Sequence, residues 1–163
     1  MWSTLLTATS LIGSGIQAGA LLMFYYGVCP TFRAVDVPLW MRMHVSMDHN
    51  IERYMPFLNL TTGGTSLVLL FFSQDGVTRG LRIAALVCNI ALALMSEVVN
   101  VPINKILARQ LPVLAHGASP AHDDPEIVRL GAMRERWIVW TQWRAVVITA
   151  GFIMYAIAAL HAG

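Results

Sequence analysis

Four stretches of the chain are almost wholly apolar, and polar segments separate them. Their cores lie near Leu5–Tyr26, Pro56–Phe72, Ile83–Leu107 and Trp137–Leu160. No charged side chain occurs from Met1 to Phe32 or from Tyr54 to Gln74. Glu97 is the only charge between Arg82 and Lys105, and Arg144 the only one after Arg136. A helix crosses a bilayer with roughly 20 mostly apolar residues, and in lipid a segment this apolar must satisfy its own backbone as a helix. The pattern therefore predicts an all-α fold, a four-transmembrane-helix bundle with helices at about 4–28, 55–73, 81–107 and 133–161, in a single domain over residues 1–163.

Two further helical pieces follow from periodicity. From Pro38, the apolar residues Leu39, Met43, Met47 and Ile51 predict an additional helix in the first loop. From Glu126, capped by Asp124, the residues Ile127, Leu130 and Met133 predict a short amphipathic helix ahead of the fourth span. Proline punctuates the rest. Cys29-Pro30 predicts the end of helix 1, Met55-Pro56 the start of helix 2, and Pro102 a bend in helix 3. Gly15 and Gly19 form a G-x-x-x-G pair that lets another helix approach closely, within the bundle or across a homo-oligomer.

Composition agrees with the pattern: 56% of the 163 residues are hydrophobic and only 12% charged, against ~25% charged in an average globular chain. A formal charge of +2 gives no reason to expect a nucleic-acid partner. Lys and Arg are unevenly shared, eight in loops 1 and 3 (Arg33, Arg42, Arg53, Lys105, Arg109, Arg129, Arg134, Arg136) against Arg79 and Arg82 in loop 2. The positive-inside rule then puts loops 1 and 3 in the cytoplasm and both termini outside. The N-terminus lacks a signal-peptide pattern and is expected to stay attached. Cys29 and Cys88 have no metal-ligand spacing and read as packing residues.

The chemistry concentrates in a few intramembrane polar residues. Glu97, Asn100 and Asn104 stand at i, i+3, i+7, one stripe of helix 3. Unpaired polar groups in a dry interior are costly, so the stripe needs partners. Arg144 is the obvious one, with Trp140 one turn before it on the same face. Gln17 on helix 1 and Asn59 on helix 2 are candidate pocket residues. In the first-loop helix, His44, Asp48 and Glu52 fall at i, i+4, i+8, a stripe able to relay a proton or, with Glu97, to ligate a metal. A solvated face with i, i+4 salt links explains the same spacing. Met43, His44 and Met47 also suit Cu(I) in principle. His116 and His122 lie among turn residues and read as surface.

Taken together, Gly15/Gly19, Met55-Pro56, Asn100-Val101-Pro102-Ile103-Asn104 and Trp137, Trp140, Arg144 resemble the DUF1772, or anthrone oxygenase-like, family over nearly the whole chain. The position after Trp140 is Thr141, where the family often has Asn. The resemblance implies a membrane-embedded oxidoreductase, a monooxygenase that oxidises a small aromatic, anthrone- or polyketide-like substrate with O₂. An anthrone has an acidic CH₂ between aromatic rings, so such a site needs a base, an anion stabiliser and an apolar slot. In that reading His44 is the base, Asp48 or Glu52 tunes it, Arg144, Asn100 and Asn104 hold the enolate oxygen, and Trp140 forms a wall. No cofactor is required. A metal-dependent version would use His44, Asp48, Glu52 and Glu97 and a bound transition metal. The alternative is a non-enzymatic membrane protein that binds a lipid- or quinone-like ligand or assists a membrane complex. A Glu97–Arg144 pair filling the cavity would mark that alternative.

Overall fold

The computed structural model describes residues 1–72, 75–116 and 124–161. Among them the fold is all-α, without strands. The chain begins with α1 (Trp2–Met23), passes through a π-helical turn at Phe24–Val28, and continues as α2 (Cys29–Ala34). Then come α3 (Val37–Ile51), α4 (Met55–Leu69) and α5 (Gly76–Met95). A second π-turn at Ser96–Asn100 leads into α6 (Val101–His116), and α7 (Pro125–His161) ends the chain.

Helix 1 does not stop at Cys29-Pro30. Proline lacks an N–H, and its ring collides with the carbonyl four residues back, here that of Tyr26. The chain resolves the clash by widening one turn: Cys29 N–H reaches back five residues to Phe24 O, and Pro30 then takes the first turn of α2. Pro102 repeats the device. Val101 N–H bonds to Ser96 O, again five residues back, so the bend expected at Pro102 takes the form of a π-turn in a continuous rod.

Other boundaries also move. The third long helix starts at Gly76, because Asp75 caps it by accepting from Val77 and Thr78 N–H at 2.9 Å each. It also runs on past Leu107 to His116. The second apolar stretch is helical only from Met55 to Leu69, closing with tighter i to i−3 bonds at Leu70, Phe71 and Phe72. The amphipathic helix is not separate, since α7 runs unbroken from Pro125. Its cap is Asp124, which accepts from Glu126 N–H at 2.8 Å. Ser73, Gln74, Gly117, Pro120, His122 and Asp123 lie outside the described residues.

Among the described residues three helical rods are long and apolar enough to cross a membrane: Trp2–Ala34, Gly76–Pro112 and Pro125–His161. Their outer faces carry exposed Ile12, Ile16, Val87, Ile90, Leu94, Val146 and Ile153, as lipid-facing surfaces do. Helix α4 has 15 residues, about 22 Å at 1.5 Å per residue.

The helices pack as a ring in the order α1, α4, α5, α7 and back to α1, with α3 laid across α6 and the start of α7. Small residues set the close approaches. A Cβ on Gly13 would stand 2.2 Å from Thr62 Oγ1, and one on Gly151 would stand 2.9 Å from Cys88 Cβ. The G-x-x-x-G pair contributes little to this. Gly15 faces only the Phe152 ring, and Gly19 has open space before it. Gly13 is the glycine that brings α1 onto α4.

The larger core cluster joins Cys29, Phe32, Trp40, Met41, Val99, Ile103, Leu107, Leu130, Trp137 and Ile138. It locks α3 against α6 and α7. Asp36 caps α3, accepting from Leu39 N–H at 2.8 Å. Arg134 donates from Nη1 to Phe32 O at 3.0 Å and Val35 O at 2.9 Å, satisfying the carbonyls where α2 ends, while its guanidinium carbon lies 5.9 Å from the Trp40 ring centre. The effect is to hold α3 rigidly at one end of the ring.

Candidate functional site

At that end, under α3, the ring leaves a cavity of about 370 Å³. Every long element contributes to it. From α1 and its π-turn come Gln17, Leu21 and Phe24, and from α3 and its C-cap come Asp48, Ile51 and Glu52. Asn59 and Leu60 come from α4, Glu97 and Asn100 from the second π-turn, Asn104 from α6, and Trp137, Thr141 and Arg144 from α7. Much of the wall is apolar, and the polar groups converge on it in small number, the usual composition of a ligand pocket.

The predicted helix-3 stripe is intact: Glu97, Asn100 and Asn104 all line the cavity. Asn100 is the junction with α7. With its amide oxygen turned toward the donors, it accepts from Arg144 Nη1 at 3.0 Å and from Trp137 Nε1 at 3.1 Å. Arg144 Nε and Thr141 Oγ1 are buried and find no hydrogen-bond partner among the described residues. No carboxylate among the described residues lies within 4.0 Å of Arg144. Asp48 is a carboxylate whose ionisation the guanidinium eases. The Glu97–Arg144 pair that would have filled the cavity is absent among these residues.

Asp48 is held by Asn104, whose Nδ2 donates to Asp48 Oδ1 at 2.6 Å. Its pKa is raised to about 6: burial contributes most, then the neighbouring Glu52 carboxylate, with Arg144 pulling the other way. His44 does not line the cavity. It stands behind Asn104, with Nε2 at 3.0 Å from Asn104 Oδ1, and is only 3% exposed. Burial drives its pKa down to about 4, the bond to Asn104 opposing slightly, so the ring is neutral near neutral pH. His44 thus lies one side chain back from the cavity, behind Asn104, while Asp48, one helical turn on, lines it.

Across the cavity a second polar group is tied to the bundle. Gln17 Nε2 donates to Thr62 Oγ1 at 3.1 Å and to Gly13 O at 3.2 Å. Asn59 Nδ2 donates to Gln17 Oε1 at 3.0 Å. Both expected pocket residues thus line the cavity and brace one another.

Trp140 does not line the cavity but packs on the core cluster. Trp137, one helical turn before Thr141, is the one turned inward. The signal for it was available, since Trp137, Thr141 and Arg144 stand at i, i+4, i+7 and share a face. Among the described residues no group of three His, Cys, Asp or Glu side chains is placed to hold a metal ion. Of the suggested ligands, Asp48, Glu52 and Glu97 line the cavity, whereas His44 is committed to Asn104.

Fold and site define a membrane-spanning helical protein with an apolar pocket armed by one arginine and a few amides and carboxylates. The anthrone oxygenase family profile matches residues 40–154, well over half of the chain, and the protein belongs to that family. No match was found among curated proteins or among solved structures.

Proposed function

We propose that this protein is a membrane-embedded oxygenase that converts an anthrone-like aromatic to the corresponding quinone with O₂, inside the pocket under α3. The observation that carries the reading is Arg144. A guanidinium away from bulk water costs several kcal/mol unless it is paired, and here, among the described residues, it has one amide partner, no carboxylate within 4.0 Å, and a cavity of about 370 Å³ beside it. A ligand oxygen that becomes negative during reaction fits that gap.

The chemistry follows from the pocket groups. Asp48, with a pKa near that of a neutral-pH base, takes a proton from the CH₂ between the rings. The negative charge moves to the substrate oxygen, held by Arg144 and the Asn100 amide. The electron-rich carbon reduces O₂ and bonds to it, and Asp48 returns its proton to the distal oxygen. Loss of water, carrying off the second C–H hydrogen, breaks the O–O bond and leaves a carbonyl. One O₂ yields one quinone oxygen and one water. Trp137, Phe24 and Leu60 supply apolar walls.

The test is turnover of an anthrone by the detergent-purified protein, followed by oxygen uptake and quinone formation. Quinone formation no faster than in protein-free detergent, with the anthrone nonetheless bound, would contradict the reading and favour a binding protein for lipid- or quinone-like molecules.

For topology we propose four crossings, α4 being the short one and widening the bundle beside the pocket. Phe57 and Leu67 on α4, and Phe71 just after it, are exposed and apolar. Loops 1 and 3 then face the cytoplasm by their excess of Lys and Arg. Labelling of single cysteines placed in loops 1 and 2 checks this, and equal labelling from outside would contradict it.

A further inference from the structure

We infer that His44 is a positioning residue for the pocket carboxylate: its Nε2–H fixes the Asn104 amide, and that amide holds Asp48 Oδ1. The inference deepens the proposed function and rests on it for the catalytic consequence, while the relay itself rests on geometry.

Asn104 bridges α6 to α3 through both ends of its amide. Nδ2 donates to Asp48 Oδ1 at 2.6 Å, so Oδ1 must face His44, 3.0 Å from Nε2. An amide oxygen only accepts, so the histidine must carry its proton on Nε2. Rings fix the imidazole in turn. Trp137 meets it edge-on at 4.7 Å between centroids, Trp40 lies at 5.7 Å and Phe32 at 6.0 Å. Trp137 also donates to Asn100, so one indole braces both halves of the site. Without the histidine donor Asp48 alone orients the Asn104 amide. The amide then loses its second anchor, and its N–H is no longer fixed on the carboxylate.

The groups facing Asp48 are Glu52 on its own helix, Asn104 from α6 and Arg144 from α7, with Glu97 on the same cavity wall. An N–H bonded to a carboxylate favours its charged form. His44 is uncharged near neutral pH, so replacing it with Leu alters no charge there. The route from His44 to Asp48 that the geometry shows is the Asn104 amide.

The experiment follows the protonated carboxyl stretch of Asp48 by infrared spectroscopy against pH in detergent-purified full-length protein, with Asp48→Asn identifying the band. His44→Leu and Asn104→Leu should each raise the Asp48 pKa by about one unit. His44→Gln, whose amide N–H reaches the position of Nε2, should return it to the wild-type value. If both leucine variants titrate like the wild type, the inference is overturned. Should His44→Leu not fold, Asn104→Leu decides alone. In turnover the acidic limb of the pH profile should move with the band. A moved band with an unmoved profile would keep the relay and remove Asp48 as the base.

Discussion

Arg144 Nη1 donates to the side-chain oxygen of Asn100 at 3.0 Å, across the interface between α7 and the second π-turn. The bond aims a guanidinium into the cavity and leaves the rest of it for a ligand. The π-turn is what puts Asn100 there, and Pro102 is what calls for the π-turn.

Arg144→Ala should cost about 10²–10³ in kcat, the usual effect of removing a donor aimed at developing charge. Arg144→Lys should recover little, because an ammonium cannot reproduce the planar fork. Asn100→Ala should behave like Arg144→Ala. Steady-state oxygen uptake reads all three.

Trp137→Phe removes the second donor to Asn100 and one brace of His44. Turnover should fall about tenfold, the value of roughly one hydrogen bond. Trp140→Phe, away from the cavity, should stay within twofold. Equal losses in the two variants would mean that packing and not the indole N–H matters.

The pH dependence of stability has two opposed parts. His44 has its pKa depressed to about 4, so its contribution is present above its ordinary value of 6.5 and is lost as pH falls toward 4. For Asp48 the pKa is raised from 3.8 to about 6, so stability from it is complete below 3.8 and is lost as pH rises through 6. Asp48→Asn should therefore be more stable than wild type at pH 8 and inactive, with activity in the wild type rising through pH 6. Melting midpoints in detergent across this range check the sign.

Gly13→Ala should lower stability by about 1–3 kcal/mol, the cost of overpacking a filled contact. Gly19→Ala, with no atom within 4 Å of its new Cβ, should gain a few tenths to ~1 kcal/mol of helix propensity. Thermal melts of the two variants separate the packing glycine from the incidental one.

Lipid-facing apolarity made the long helices legible, because the bilayer leaves no other backbone solution. The stripe of Glu97, Asn100 and Asn104 was legible for the same reason, and Arg144 had to find it. What periodicity could not resolve was rotation. Trp137 and Trp140 are three residues apart and both fit a face near Arg144, and only packing against Asn100 and His44 selects the first. Nor could spacing say that His44 sits behind Asn104 while Asp48, one turn later, lines the cavity. That depends on Trp40, Phe32 and Trp137 closing around the imidazole. Local proline rules failed at Pro30 because a π-turn supplies the space that they assume is missing.

The most direct test of the central claim is oxygen consumption with an anthrone by wild-type protein and Arg144→Ala, each shown to be folded in detergent. The account predicts one O₂ consumed per quinone formed by the wild type, and a rate about 10²–10³-fold lower for the variant. Equal rates for the two proteins would contradict it.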